Sequence, residues 1–281
     1  MSETVYLNGK FFPKSEAFIS PEDRGFNFAD GIYEVIKYYG GKPFRYADHL
    51  ERLKRSLKEV QIEYRDTNQL ESVFQELLDK NGLAIQEAGI YLQITRGSQT
   101  RIHRFPDNIK PTVYATVFPF ASQWDQLENG VKVITTEDIR WLRCDIKSVS
   151  LLPNVLAAQK AHEQDAVEAI FIRNGMVTEG SHSSFMAVKN GTVYTHPDSN
   201  MILPGITKKV VFEICKDHNI QVIEEGIPAS ELANMDEMMI IGTGSEVSPV
   251  VQLDDMPVGN GNPGPVTRFV QEKFFEQTRN L

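Results

Sequence analysis

Apolar residues along this chain recur with two different spacings, and the order of those spacings predicts the elements. Val5-Tyr6-Leu7 and Phe11-Phe12 flank Asn8-Gly9, a pair that supplies the positive φ values of a tight primed turn, so a hairpin is predicted at the start. Gly31 to Tyr39 alternates and ends in Gly40-Gly41, which reads as a second strand pair. Two helices follow. Leu50, Leu53, Leu57 and Val60 stand three and four apart behind Asp48 as N-cap, and Leu70, Val73, Phe74, Leu77 and Leu78 share one face behind Thr67, stopping near Asn81-Gly82. Strands over 89–95 and 112–118 complete a small α+β domain spanning residues 1–118.

From 119 to 130 the pattern lapses into a polar stretch with Ser122, Gln123, Asp125 and Gln126, read as an interdomain linker. Val131, Val133 and Ile134 then open a larger domain, 131–281. Its predicted helices run from about Asn154 through Ala161, behind Thr207 with Val210, Val211, Ile214 and Cys215 inward, and through Val266, Phe269, Val270 and Phe274. Strands are predicted over 169–172, 185–188, 221–223, 238–241 and 247–253, with a hairpin at Asn190-Gly191. The fold class is therefore α+β to mixed α/β, in two domains.

Composition narrows the chemistry. With 41% hydrophobic and 24% charged residues among 281, the chain has the make-up of a folded, core-forming protein. A formal charge of -9 argues against nucleic acid or an anionic membrane as partner, because a negative field repels polyanions. Cys144 and Cys215 offer neither a disulfide framework nor a metal-ligand spacing. Met1-Ser2-Glu3-Thr4 opens no signal-like segment, and no run nears the ~18 apolar residues of a membrane span. The expectation is a reduced, cytoplasmic protein that works on small molecules without a metal.

The stretch Asp138 to Ser148 is too charged for a core strand and too apolar for a loose loop. It carries Lys147 with Arg140 and Arg143 close in sequence. A lysine amine held partly desolvated or near other cations attacks carbonyls to form a Schiff base; the alternative is a surface lysine paired with Asp145. Gly205-Ile206-Thr207 opens a helix, and the free amides there can seat a phosphate or simply be capped. Gly242-Thr243-Gly244-Ser245 follows a buried-looking strand and offers further amides, without the lysine of a P-loop. Arg52, beside His49 on the first long helix, is a candidate phosphate clamp or an ordinary helical arginine. Glu179, after the Asn174-Gly175 turn, is a turn carboxylate or a partner for a protonated ring nitrogen. Arg101-Ile102-His103-Arg104 is the most basic patch and suits an acid substrate, or a solvated loop.

Together these residues resemble the fold-type IV pyridoxal-phosphate enzymes, on the branch of the D-amino acid aminotransferases. The resemblance rests on Glu22-Asp23-Arg24-Gly25, Asp30 to Val35, His49 with Arg52, Thr95-Arg96-Gly97, Arg101-Ile102-His103, Arg140 to Ser148, Thr178 to Ser181 and Gly205-Ile206-Thr207. It implies a small N-terminal α+β domain and a larger, mixed, β-barrel-like C-terminal domain. It further implies a homodimer using pyridoxal 5'-phosphate, with amino acids and 2-oxo acids as partners. By that resemblance Lys147 holds the cofactor and moves the proton. Glu179 keeps the ring nitrogen protonated. Arg52, Ile206, Thr207 and Thr243 seat the phosphate, Tyr33 faces the substrate, and Arg101 with His103 traps the α-carboxylate from the partner subunit. The chain departs from the pattern at His182-Ser183-Ser184, at Gly242 and at Pro204. Within the same class the alternatives are a branched-chain L-amino acid aminotransferase, an (R)-amine transaminase or an aminodeoxychorismate lyase. Outside it, the alternative is a non-catalytic binder of anionic ligands.

Overall fold

A computed structural model describes residues 3–281. The chain folds as two compact units. The first holds the chain up to Ala121 together with Ile146–Ser150 and Leu281; the second holds Ser122–Asp145 and Leu151–Asn280.

The first unit contains β1 (Thr4–Leu7), β2 (Lys10–Pro13), the short α1 (Arg24–Phe28), β3 (Gly31–Tyr39), β4 (Lys42–Pro43), α2 (Tyr46–Glu59), α3 (Leu70–Lys80), β5 (Ala88–Thr95) and β6 (Thr112–Pro119). Its strands form one antiparallel sheet in the order β2-β1-β6-β5-β3-β4. Ile32, Ile36 and Tyr38 of β3 meet Leu53 and Leu57 of α2 and Leu70, Phe74, Leu77 and Leu78 of α3 in a single core. The helices thus fall where three- and four-residue spacing places them, but their starts differ. Arg45, at φ 55, precedes α2, so Asp48 lies inside the first turn rather than capping it. Thr67 sits in a 3-10 turn, Asp66–Gln69, ahead of α3.

The second unit contains α4 (Trp124–Asn129), β7 (Val131–Glu137), α5 (Leu152–His162), β8 (Glu168–Arg173), β9 (Met176–Gly180), β10 (Ser184–Lys189), β11 (Thr192–Thr195), α6 (Ile206–Asp217), β12 (Val222–Glu224), β13 (Glu237–Gly242), β14 (Glu246–Leu253), β15 (Met256–Pro257) and α7 (Pro265–Arg279). Its nine-stranded sheet runs β12-β11-β10-β13-β14-β7-β8-β9, with β15 beside β14, and mixes parallel and antiparallel pairs. Only Ser181–Ser183 separate β9 from β10, and Gly180 N donates to Ser183 O at 2.7 Å. Strands at opposite ends of a six-strand path are therefore brought together, which curls the sheet towards a barrel. Val131, Val133, Ile170, Phe185, Ile240 and Val250 fill one core, and α5 covers Ile134, Ala169 and Phe171 with Ala157 and Ala161.

Residues 124–129, placed in the expected linker, form α4. The segment around Lys147, expected within the larger domain, groups with the first unit because Ile146 is buried in that unit's core.

Candidate active site

In the first unit the site is built on β3. Successive side chains of a strand face opposite ways, so Glu34 points to α2 while Tyr33 points to the other face. Residues 138–150 have no regular secondary structure, yet Lys147 is not loosely held. Tyr33 N donates to Lys147 O at 3.0 Å, Val149 N donates to Gly31 O at 3.1 Å, and Ile32 and Ser148 form an isolated bridge. The free flank of β3 thus fixes the backbone on both sides of Lys147. Its half-buried side chain reaches over the Tyr33 ring, with Nζ 4.3 Å from the centroid, and Tyr33 stacks on Tyr91 at 5.8 Å.

Behind β3 lies a buried ionic cluster. Glu34 accepts Arg52 Nε and Nη2, both at 2.8 Å, and His49 Nδ1 lies 2.9 Å from one of its oxygens. Burial alone would raise the Glu34 carboxyl, but Arg52 and His49 outweigh it and hold the group well below the usual carboxylate range. Burial pushes His49 the other way, below its ordinary value, against the pull of Glu34. Arg52 is therefore aimed by a carboxylate eighteen positions earlier, a partner no local pattern announces. Arg101 and His103 lie exposed on the loop between β5 and β6.

In the second unit Glu179 lies near the end of β9, buried. Arg140 Nη1 donates to it at 2.5 Å and Leu203 N at 3.1 Å. Burial pushes its carboxyl up to about 7, against Arg140 and the Leu203 amide, which pull it down. Arg140 has less charge to give because it also binds Asp138, through Nε at 2.9 Å and Nη2 at 2.8 Å, and Arg173 reaches the same aspartate at 2.9 Å. At the start of β8, Glu168 is fully buried and accepts Ser181 N, Ser183 Oγ and His182 N, which shapes the turn into β10.

Gly205, not Thr207, is the residue before α6, so Ile206 and Thr207 occupy its first turn, where amides lack helical acceptors. A Cβ on Gly205 would stand 2.6 Å from Ser184 Oγ, whereas one on Gly242 would find nothing nearer than His182 O at 3.7 Å. Thr243 lies in the turn between β13 and β14. The β10–β13 ladder pairs Ser184 with Ile241, so the start of α6 and this turn share one end of the sheet.

The amino-transferase class IV model matches residues 31–253. The chain belongs to the class IV aminotransferases. It is 47% identical to a D-alanine aminotransferase of Staphylococcus haemolyticus over 272 residues, 96% of each chain. Among solved structures it superposes on a branched-chain amino acid aminotransferase of Escherichia coli with TM-score 0.91 at 25% identity, covering 98% and 94% of the two chains. A second branched-chain amino acid aminotransferase, solved with pyridoxamine 5'-phosphate, gives 0.90 at 25% identity, covering 100% and 95%.

Class IV aminotransferases work with pyridoxal phosphate, and the residues of this member fit that group. A buried carboxylate backed by Arg140 suits a ring nitrogen, a half-buried amine suits a carbonyl, and a helix start with free first-turn amides, where glycine lets Ser184 approach, suits a phosphate. Asp138, Glu168, the pairing of Arg140 with Glu179 and the roles of Glu34 and His49 were not legible in the sequence. Glu34 meets Arg52 eighteen positions on, and Arg140 meets Glu179 thirty-nine positions on, so no local spacing announces either pairing.

Proposed function

We propose that this class IV aminotransferase is a D-amino acid transaminase. It moves the amino group of D-alanine to a 2-oxo acid such as 2-oxoglutarate, giving pyruvate and D-glutamate in a ping-pong cycle. The observation that carries this reading is the 47% identity, over 96% of the chain, to a D-alanine aminotransferase. The branched-chain enzymes it superposes on share 25%.

Bound pyridoxal phosphate supplies the electron sink that makes the α-proton of an amino acid removable. Lys147 would provide the amine that holds the cofactor carbonyl and would serve as the base that carries the proton from the substrate α-carbon to the cofactor carbon. Glu179 would hold the ring nitrogen, and Arg140 keeps that carboxylate in place. Ile206 through its amide, Thr207, Thr243 and Arg52 receive the phosphate, with Glu34 fixing the direction of Arg52. Tyr33 lines the substrate side, and Arg101 with His103 receives the α-carboxylate. The protein acts as a homodimer in the cytoplasm. Exposed apolar side chains on α5 support the dimer; no helix among the described residues is long and apolar enough to cross a membrane.

Coupled assays with D- and L-alanine test the reading: turnover of the D-isomer should exceed that of the L-isomer by orders of magnitude. Equal or better turnover of L-alanine or L-leucine would return the chain to the branched-chain reading. Lys147→Ala should lower kcat by at least about 10²–10⁴, the usual worth of a positioned acid–base group, while the far-ultraviolet spectrum stays unchanged. Activity retained by that variant would remove Lys147 from its role.

A further inference from the structure

The loop between β5 and β6 has no helix or strand of its own, yet it is gripped along its length. At its start Asp23 and Ser98 form an isolated antiparallel bridge, and Arg24 N donates to Gly97 O at 2.9 Å. Further along, Arg24, only 3% exposed, donates Nη1 to Ile102 O at 2.5 Å and Nη2 to His103 O at 3.3 Å. Its Nε is bound to Asp30 at 2.8 Å. On the return, Arg96 lies 3.5 Å from the Phe105 ring centroid and binds both oxygens of the same Asp30, at 2.7 and 2.9 Å. The Phe28 ring lies 4.7 Å from Arg24, 4.9 Å from Arg101 and 5.4 Å from the His103 ring.

We propose that Arg24 is a positioning residue for recognition of the substrate carboxylate: together with Phe28 it sets where Arg101 and His103 stand, by holding the backbone of Ile102 and His103. The inference rests on Arg101 and His103 being the carboxylate trap. An exposed arginine on an irregular loop loses rotamer freedom when it grips an anion, and a loop ordered in advance transfers that cost from binding to folding. Only a guanidinium spans this arrangement, because one fork binds a half-buried carboxylate with Nε and two consecutive carbonyls with its two Nη groups. Asp30 supplies the charge that lets two arginines be buried side by side, Arg24 from α1 and Arg96 from the start of the loop. Arg24 touches no reacting atom in this scheme. Its effect passes wholly through Arg101 and His103.

The test uses the cofactor-loaded enzyme with D-alanine and 2-oxoglutarate in four forms: wild type, Arg24→Gln, Arg101→Met and the double variant. Cofactor affinity is measured separately by absorbance titration without substrate. Arg24→Gln should raise the KM for D-alanine about tenfold, with kcat within about twofold and cofactor affinity unchanged. In the Arg101→Met background the same change should add less than about twofold. An unchanged KM, an equal effect in both backgrounds, or a joint loss of kcat and cofactor affinity would each overturn the proposal. Should Arg24→Gln not accumulate folded, Phe28→Leu carries the same cycle, with a KM rise of about threefold that vanishes without Arg101; persistence of the rise, or its absence, overturns the proposal equally. If Arg101→Met alone leaves KM unchanged, the trap itself is wrong, an outcome distinct from failure of Arg24.

Discussion

Glu34 and Glu179 are both buried and both touched by an arginine, yet they are pushed in opposite directions, because Glu34 has two basic side chains beside it whereas Glu179 has one arginine and the negative charge of Asp138 nearby. Arg52 meets Glu34 with two nitrogens and His49 adds a third contact, which outweighs burial. Arg140 divides itself between Glu179 and Asp138, so burial wins and Glu179 rises to about 7. The sign follows from linkage. A carboxyl that is neutral more easily in the folded state than at its ordinary 4.5 favours folding fully below that value, and loses the advantage as pH rises to about 7. Cofactor-free protein should therefore lose about 3 kcal/mol relative to Glu179→Gln between pH 4.5 and about pH 8, the order expected for such a shift. Parallel urea midpoints across that range check it, and a constant difference would refute it. The sequence offered Glu179 as a ring-nitrogen partner and Arg52 as a phosphate clamp only beside plainer alternatives, and the resemblance chose between them. Their partners lie thirty-nine and eighteen positions away in sequence, and a charge inside a strand carries no sign of whom it will meet.

At the scale of elements, periodicity serves well where a core face decides the element and fails where a terminus does. Leu50, Leu53 and Leu57 mark α2 because that stripe packs on β3, but the helix begins after Arg45 in a left-handed conformation, which no cap preference indicates. Thr207 reads as a cap and is instead inside the first turn, because Gly205 takes the place before α6. Lys147 is equally unreadable as structure, since its place comes from pairing with the flank of β3 rather than from any local spacing. The two glycines near the proposed phosphate seat now separate. Gly205→Ala drives a Cβ to 2.6 Å from Ser184 Oγ and should weaken pyridoxal phosphate binding about tenfold by displacing the first turn of α6, a loss typical of one phosphate contact. Gly242→Ser has room, with 3.7 Å to the nearest atom, and should leave affinity within about twofold. Absorbance titrations of the two variants decide the matter; equal losses would place the phosphate elsewhere.

For the whole molecule, what a single chain leaves uncovered is informative. On α5, Ala157 and Ala161 pack on Ile134 and Phe171, while Leu152, Val155 and Leu156, at helical spacing, stand 70%, 59% and 55% exposed. A helix apolar on two faces covers its own sheet with one and has the other for a partner. Each such side chain, once covered, contributes about 1.5–3 kcal/mol. Two chains of net charge -9 repel, so a dimer held by this apolar face should strengthen as salt screens the charges. Sedimentation equilibrium should accordingly give twice the chain mass of 31.8 kDa for the wild type. Leu152→Glu combined with Leu156→Glu should return it to one chain mass at micromolar concentration with unchanged far-ultraviolet signal, because neither side chain contributes to the core of its own unit. A wild type that sediments as a monomer, or a double variant that stays dimeric, would exclude α5 as the contact. Should the variant become monomeric and keep its KM for D-alanine, the carboxylate trap must be supplied within one chain rather than by the partner.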